Sequence, residues 1–144
     1  MKLPRRRFLR LVAGTAAVPT ATVLGQGTIT PTGAIRIVER THYYAKPGLD
    51  YAKPGLAAEV LDVRRKASAV RLSIGLPAGE IFVKSPGGDG SEPDVAWQCT
   101  FADAAARDAD LAARAASAEF ESVRVQMRKL YARFERQVFA IASL

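Results

Sequence analysis

Cysteine and histidine each occur once in this chain of 144 residues. A lone cysteine forms no internal disulfide, so the fold must rest on its hydrophobic core. One cysteine with one histidine leaves no zinc site of ordinary composition, and no metal or other cofactor is implied. Cys99 falls in an alternating apolar run with no histidine beside it, which reads as a small buried hydrophobe rather than a nucleophile. Acidic residues are absent before Glu39, whereas Lys2, Arg5, Arg6, Arg7 and Arg10 crowd the start of the chain. The formal net charge of +7 therefore belongs largely to the N-terminus, and residues 26–144 carry 16 basic and 14 acidic side chains. Nucleic-acid binders concentrate cations on one face. Here both signs are interspersed, which argues against nucleic acid as a partner. The length and the hydrophobic content of 49% suit one domain with a real core.

The first 25 residues read as a leader. A basic start precedes a weakly hydrophobic stretch, Leu11 to Leu24, which is short and broken by Gly, Thr and Pro. The run Arg5-Arg6-Arg7-Phe8-Leu9-Arg10 resembles the twin-arginine export motif, with Arg5, Arg6, Phe8, Leu9 and Arg10 in its positions and Pro4 where the motif prefers Ser or Thr. The resemblance implies the twin-arginine machinery as a partner. It implies a periplasmic or secreted protein, tethered to the membrane if the leader is not cut near residue 25. Residues 26–33 form a polar linker, and the domain occupies 34–144.

Within that domain, Ala34 to Tyr44 is rich in β-branched and aromatic residues and predicts a strand. Ile35, Ile37, Glu39, Thr41 and Tyr43 share one face, and Arg36, Val38, Arg40, His42 and Tyr44 share the other. Neither face is purely apolar. Leu56, Val60, Val63, Ala67, Val70 and Ile74 then make one helical stripe, with Pro54 in the first turn and Gly75 and Pro77 at the end. Gly79 to Lys84 and Val95 to Phe101 predict a hairpin, whose second strand alternates strictly. Val95, Trp97, Cys99 and Phe101 point to the helices, and Gln98 and Thr100 mark the open side. The loop SPGGDGSEPD between them runs into a strand, not a helix, so it is no phosphate cradle. Asp103 caps an Ala-rich helix to about Ala115, and Ser117 caps another. There Phe120, Val123, Met127, Leu130, Phe134 and Val138 recur three and four apart. The tail from Gln137 predicts a last edge strand, with helix continuing through Val138 as the competing reading.

One stretch stands apart. YAKPGLD at Tyr44 to Asp50 is followed at once by YAKPGLA. Two copies of seven residues are too short for a stacked repeat. They read as a local duplication between strand and helix, with a loop or short turn at residues 45–53.

The element order is that of an α+β, ferredoxin-like domain, β-α-β-β-α-(α)-β, with a four-stranded antiparallel sheet and helices on one face. With the segment I-R-I-V-E-R-T-H-Y-Y-A-K-P-G and the pattern F-x-x-V-x-x-x-M-x-x-L-Y-x-x-F, the chain resembles the dimeric α+β barrel superfamily over Ala34 to Leu144. That group includes cofactor-independent monooxygenases of the antibiotic-biosynthesis type, isomerases and haem-degrading enzymes. The resemblance implies a homodimer whose two sheets enclose a pocket for a small, aromatic or quinone-like molecule. In that pocket His42 is the candidate general base, and Arg40, Tyr43, Tyr44, Gln98 and Thr100 are the candidate ligand-binding residues. The bland alternative is a strand histidine with a satisfied hydrogen bond and tyrosines packed at a sheet edge. Without a base, the same pocket belongs to a binding protein. Haem would find only His42 as an axial imidazole. Glu39 and Arg40 read as a cross-strand ion pair or as solvated charges.

Overall fold

A computed structural model describes residues 34–48 and 55–142, all within one unit that begins at Pro31. The leader, with its arginine motif, and Leu49 to Pro54 of the duplicated stretch lie outside the described residues. The elements run β1 (Ile37–Ala45), α1 (Ala57–Ser73), β2 (Glu80–Val83), β3 (Val95–Phe101), α2 (Ala104–Ala116), α3 (Ala118–Arg128) and β4 (Tyr131–Ala140). The four strands form one antiparallel sheet in the order β2-β3-β1-β4. This is the ferredoxin-like arrangement expected from the element order.

The helices cover one face of the sheet because alternate strand residues are apolar there. Val95, Trp97, Cys99 and Phe101 of β3 are all buried, with Tyr43 of β1, Val60 of α1 and Met127 of α3. A smaller cluster joins Ala67 and Val70 of α1 to Phe120 and Val123 of α3. The helix starts follow from their caps. The Asp103 carboxylate accepts from Ala106 N–H at 2.7 Å, and the Ser117 hydroxyl accepts from Phe120 N–H at 3.1 Å, which satisfies donors that the first turn leaves open. Helix α1 begins at Ala57 with Leu56 as its N-cap, and Pro54, expected in its first turn, lies outside the described residues.

The last third of the chain departs from expectation. The helical stripe breaks after Met127, α3 ends at Arg128, and β4 starts at Tyr131, six residues before the expected strand. Phe134 and Val138 belong to the sheet. From Phe134 onward the same residues also fit a period of two, with Phe134, Arg136 and Val138 on one side. The open edge of β1 decides between the periods, since β4 pairs with it from Ile37 to Ala45. A row of edge hydrogen bonds outweighs a local helical pattern.

The duplicated stretch leaves and re-enters the fold at one point. Lys46 C=O accepts from Leu56 N–H at 3.0 Å, and Lys46 N–H donates to Leu130 C=O at 2.9 Å. Removing seven residues, Tyr44 to Asp50, yields a chain in which Lys-Pro-Gly-Leu runs directly from the strand to the helix. That tetrapeptide has Pro and Gly at the central positions of a β-turn, and its i to i+3 hydrogen bond is the Lys46–Leu56 bond already present. We expect the deletion variant to fold with stability changed by no more than about 1 kcal/mol. Urea unfolding checks this, and a variant that fails to fold would make the extra copy structural.

Candidate functional site

The candidate residues do not form one site. Arg40, His42 and Tyr44 of β1 and Gln98 and Thr100 of β3 share the open face of the sheet, whereas Tyr43 points to the helices. On the open face the side chains satisfy one another. Arg40 donates to Gln98 Oε1 from Nε at 2.9 Å and from Nη2 at 2.6 Å. His42 Nδ1 lies 3.7 Å from Glu135 Oε2. The Tyr44 hydroxyl donates to the same oxygen at 3.4 Å, and the Arg133 guanidinium stacks 3.7 Å over the Tyr44 ring. Thr100 is exposed at the end of this row.

The helix side is less apolar than its sequence suggests. Glu39 is fully buried, neither solvated nor paired with Arg40. Neighbouring strand residues face opposite ways, so Glu39 meets Arg107 of α2 at 2.8 Å, Arg136 of β4 at 3.4 Å and Arg114 of α2 at 3.5 Å. A second carboxylate, Asp110, lies one helical turn before Arg114, with 2.7 Å between them. Asp110 also holds Arg71 of α1 through a two-pronged contact, at 3.1 Å to Nη1 and 2.5 Å to Nη2. Arg71 donates further to Pro77 C=O at 2.6 Å and lies 4.7 Å over the Trp97 ring. Burial costs a charge its hydration unless partners replace it, and Arg71 has replacements on every side.

Arg64 does not. It is 5% exposed, and its partners are two hydroxyls at long range, Tyr43 Oη and Ser68 Oγ, both at 3.4 Å. Among the described residues no carboxylate pairs with it. Its guanidinium lies 4.9 Å over Trp97, and its Nε has no hydrogen-bond partner in the protein. Burial pulls its pKa below the ordinary arginine value, against the smaller opposing effect of the Tyr43 hydroxyl.

Arg64 and Trp97 line a cavity of about 310 Å³ between the sheet and the helices. Tyr43, Tyr131 and Phe134 build one wall, with ring centroids 5.3–6.1 Å apart. Phe120, Val123 and Met127 of α3 form another. Its exposed lining residues include Arg124 and Arg128, which share Glu121 at 2.8 and 3.4 Å, and Arg136, which meets Glu39, so cations outnumber anions at its mouth. Among the described residues, no Asp, Glu or His lines it. Thr41 does, with its hydroxyl buried and unpaired.

Elsewhere the chemistry is quiet. Burial pushes the Cys99 thiol up, with the nearby Arg71 opposing it, so the thiol stays protonated at neutral pH, as a structural cysteine does. Among the described residues no group of three or more His, Cys, Asp or Glu side chains is placed to hold a metal ion. No described helix is long and apolar enough to cross a membrane.

The comparisons place the fold. No protein-family model matches the sequence, and no curated protein matches it. Solved structures do. A dimeric protein of unknown function with a ferredoxin-like fold from Bacteroides fragilis superposes with a TM-score of 0.56 at 10% identity, covering 76% of this chain and all of that one. A NIPSNAP family protein from Agrobacterium tumefaciens gives 0.56 at 16% identity, covering 79% of this chain and 92% of its own. A NIPSNAP-like domain protein from Burkholderia xenovorans gives 0.52 at 17% identity, covering 75% and 86%. At such identities the likeness concerns the ferredoxin-like fold alone.

Sequence reasoning missed the arginines. Arg64 and Arg71 flank the apolar stripe of α1, and nothing in that stripe marks them as buried. A signal was present in Glu39, which shares its strand face with Ile37 and Tyr43. A charge on a core face implies buried partners of opposite sign, and Arg107 and Arg114 stand on the helix that follows β3.

Proposed function

We propose that this is an exported, homodimeric ferredoxin-like protein that binds a small aromatic molecule in the cavity between its sheet and its helices. The observation that carries this reading is the cavity itself, walled by Trp97, Phe120 and the Tyr43, Tyr131 and Phe134 rings. At about 310 Å³ it sits at the small end of ligand pockets. Aromatic walls favour flat rings, which stack or pack edge-on. Binding is favoured over catalysis because the described lining residues include no carboxylate or imidazole to serve as a base. Trp97 is the one tryptophan of the chain, so its emission reports on the cavity without a label. Titration with a panel of one- and two-ring aromatic compounds should shift that emission saturably. A panel that leaves it unchanged contradicts the reading. Oxygen uptake with a hydroquinone would instead assign a cofactor-independent oxygenase.

The dimer rests on the open sheet face, where Phe82 and Phe139 are 47% and 46% exposed. A symmetric partner would bury both, and the Bacteroides fragilis neighbour is described as dimeric. Sedimentation should give a dimer at micromolar concentration, and a monomer there overturns it. Export rests on Arg5 and Arg6. Paired guanidiniums are not equivalent to ammoniums, so the Arg5→Lys/Arg6→Lys variant should remain in the cytoplasm. Unchanged delivery of that variant to the periplasm would remove the twin-arginine assignment.

A further inference from the structure

We propose that the molecule held in this cavity is an aromatic carboxylate, with its carboxylate on Arg64 and its ring against Trp97. The inference rests on the cavity being the binding site and adds the charge of what binds.

Among the described residues, Glu39 and Asp110 are the buried carboxylates on the helix side, and Arg71, Arg107, Arg114 and Arg136 share them. Both carboxylates are thereby engaged, and Arg64 takes part in none of these pairs. An unpaired buried guanidinium is costly to keep. The fold keeps this one with a free Nε and aimed into a cavity. A bound anion would supply the missing partner.

The shape of the site narrows the anion. A guanidinium presents its N–H groups as a planar fork, which matches the two oxygens of a carboxylate. The unpaired Thr41 hydroxyl lines the same cavity and offers a further donor. Trp97 already carries Arg64 on its ring, so the cation and the aromatic surface adjoin. A ligand that joins a flat ring to a carboxylate fits both. The described lining residues include no acid to repel it, and the excess of arginine over Glu121 at the mouth attracts such an anion from solution.

The test is calorimetric titration of the full chain with 2-naphthoate and with 2-naphthamide, which differ in charge and hardly in shape. The carboxylate should bind at least about tenfold more tightly, a modest demand for a charge-assisted hydrogen bond in a dry site. In Arg64→Gln that preference should vanish, the carboxylate losing more affinity than the amide, and Arg64→Lys should restore part of it. Equal affinity for both ligands in the unaltered protein overturns the carboxylate inference and leaves the cavity standing as an aromatic site. Failure of both ligands to bind removes the cavity reading and this inference with it. The comparison in the unaltered protein holds whether or not the variants fold.

Discussion

Replacing Asp110 with alanine is expected to cost about 3–5 kcal/mol of folding stability, because it breaks a buried ion pair by removing one partner. Asp110 is 3% exposed and Arg71 fully buried. The carboxylate is the shared counterion of Arg71 and Arg114, so its loss strands Arg71 and leaves Arg114 with Glu39 alone. Arg71 keeps Pro77 C=O and the Trp97 ring, but neither neutralises it. The loss is large against the 5–15 kcal/mol that holds a typical domain together. Replacing both partners with apolar residues, as in Arg71→Met/Asp110→Leu, should recover much of it, since no buried charge is then left at that pair. Urea unfolding of both variants checks the account. An Asp110→Ala protein within about 1 kcal/mol of the parent, the range of an ordinary surface change, would contradict it.

Gly79→Ala is expected to cost about 2–5 kcal/mol, from two sources that add. Gly79 has φ +73°, where a Cβ meets the backbone. That Cβ would also fall 2.2 Å from Trp97 Nε1 and 2.7 Å from Gln98 C=O. The indole cannot give way freely, because its N–H donates to Ala78 C=O at 2.8 Å. Ser68 donates to the same carbonyl at 2.9 Å. The loop from Pro77 to Gly79 is thus clamped over Trp97, and glycine is the residue that lets it close. The variant should lose stability and shift the Trp97 emission together. Loss of stability with unchanged emission would mean that Gly79 matters for its backbone angle alone.

Much of this fold was legible where the local signals agreed. Strict alternation marked both ends of β3 and the direction of each side chain. Asp103 and Ser117 marked the helix starts because a capping side chain acts within its own turn. The boundary between α3 and β4 was not legible, because Phe134 and Val138 satisfy both periods and only the edge of β1 chooses between them. The site was half legible. Tyr43 was among the candidates and lines the cavity. The other candidates, Arg40, His42, Tyr44, Gln98 and Thr100, lie on the open face, and the cavity lies on the other. Both faces of β1 mix polar and apolar residues, so alternation alone cannot say which one borders a cavity. Nor does the pattern of α1 separate Arg64 from a solvated arginine. That distinction arises only when α2 and β4 bring their own arginines to the available carboxylates and leave Arg64 without one.

The location of the ligand is therefore the claim to test, and a crystal structure of the protein grown with 2-naphthoate tests it most directly. The account predicts density for the naphthalene ring against Trp97 and Phe120, with the carboxylate at Arg64, and the same density in a His42→Ala crystal. Density on the open face against His42 and Tyr44, lost in His42→Ala, would contradict it.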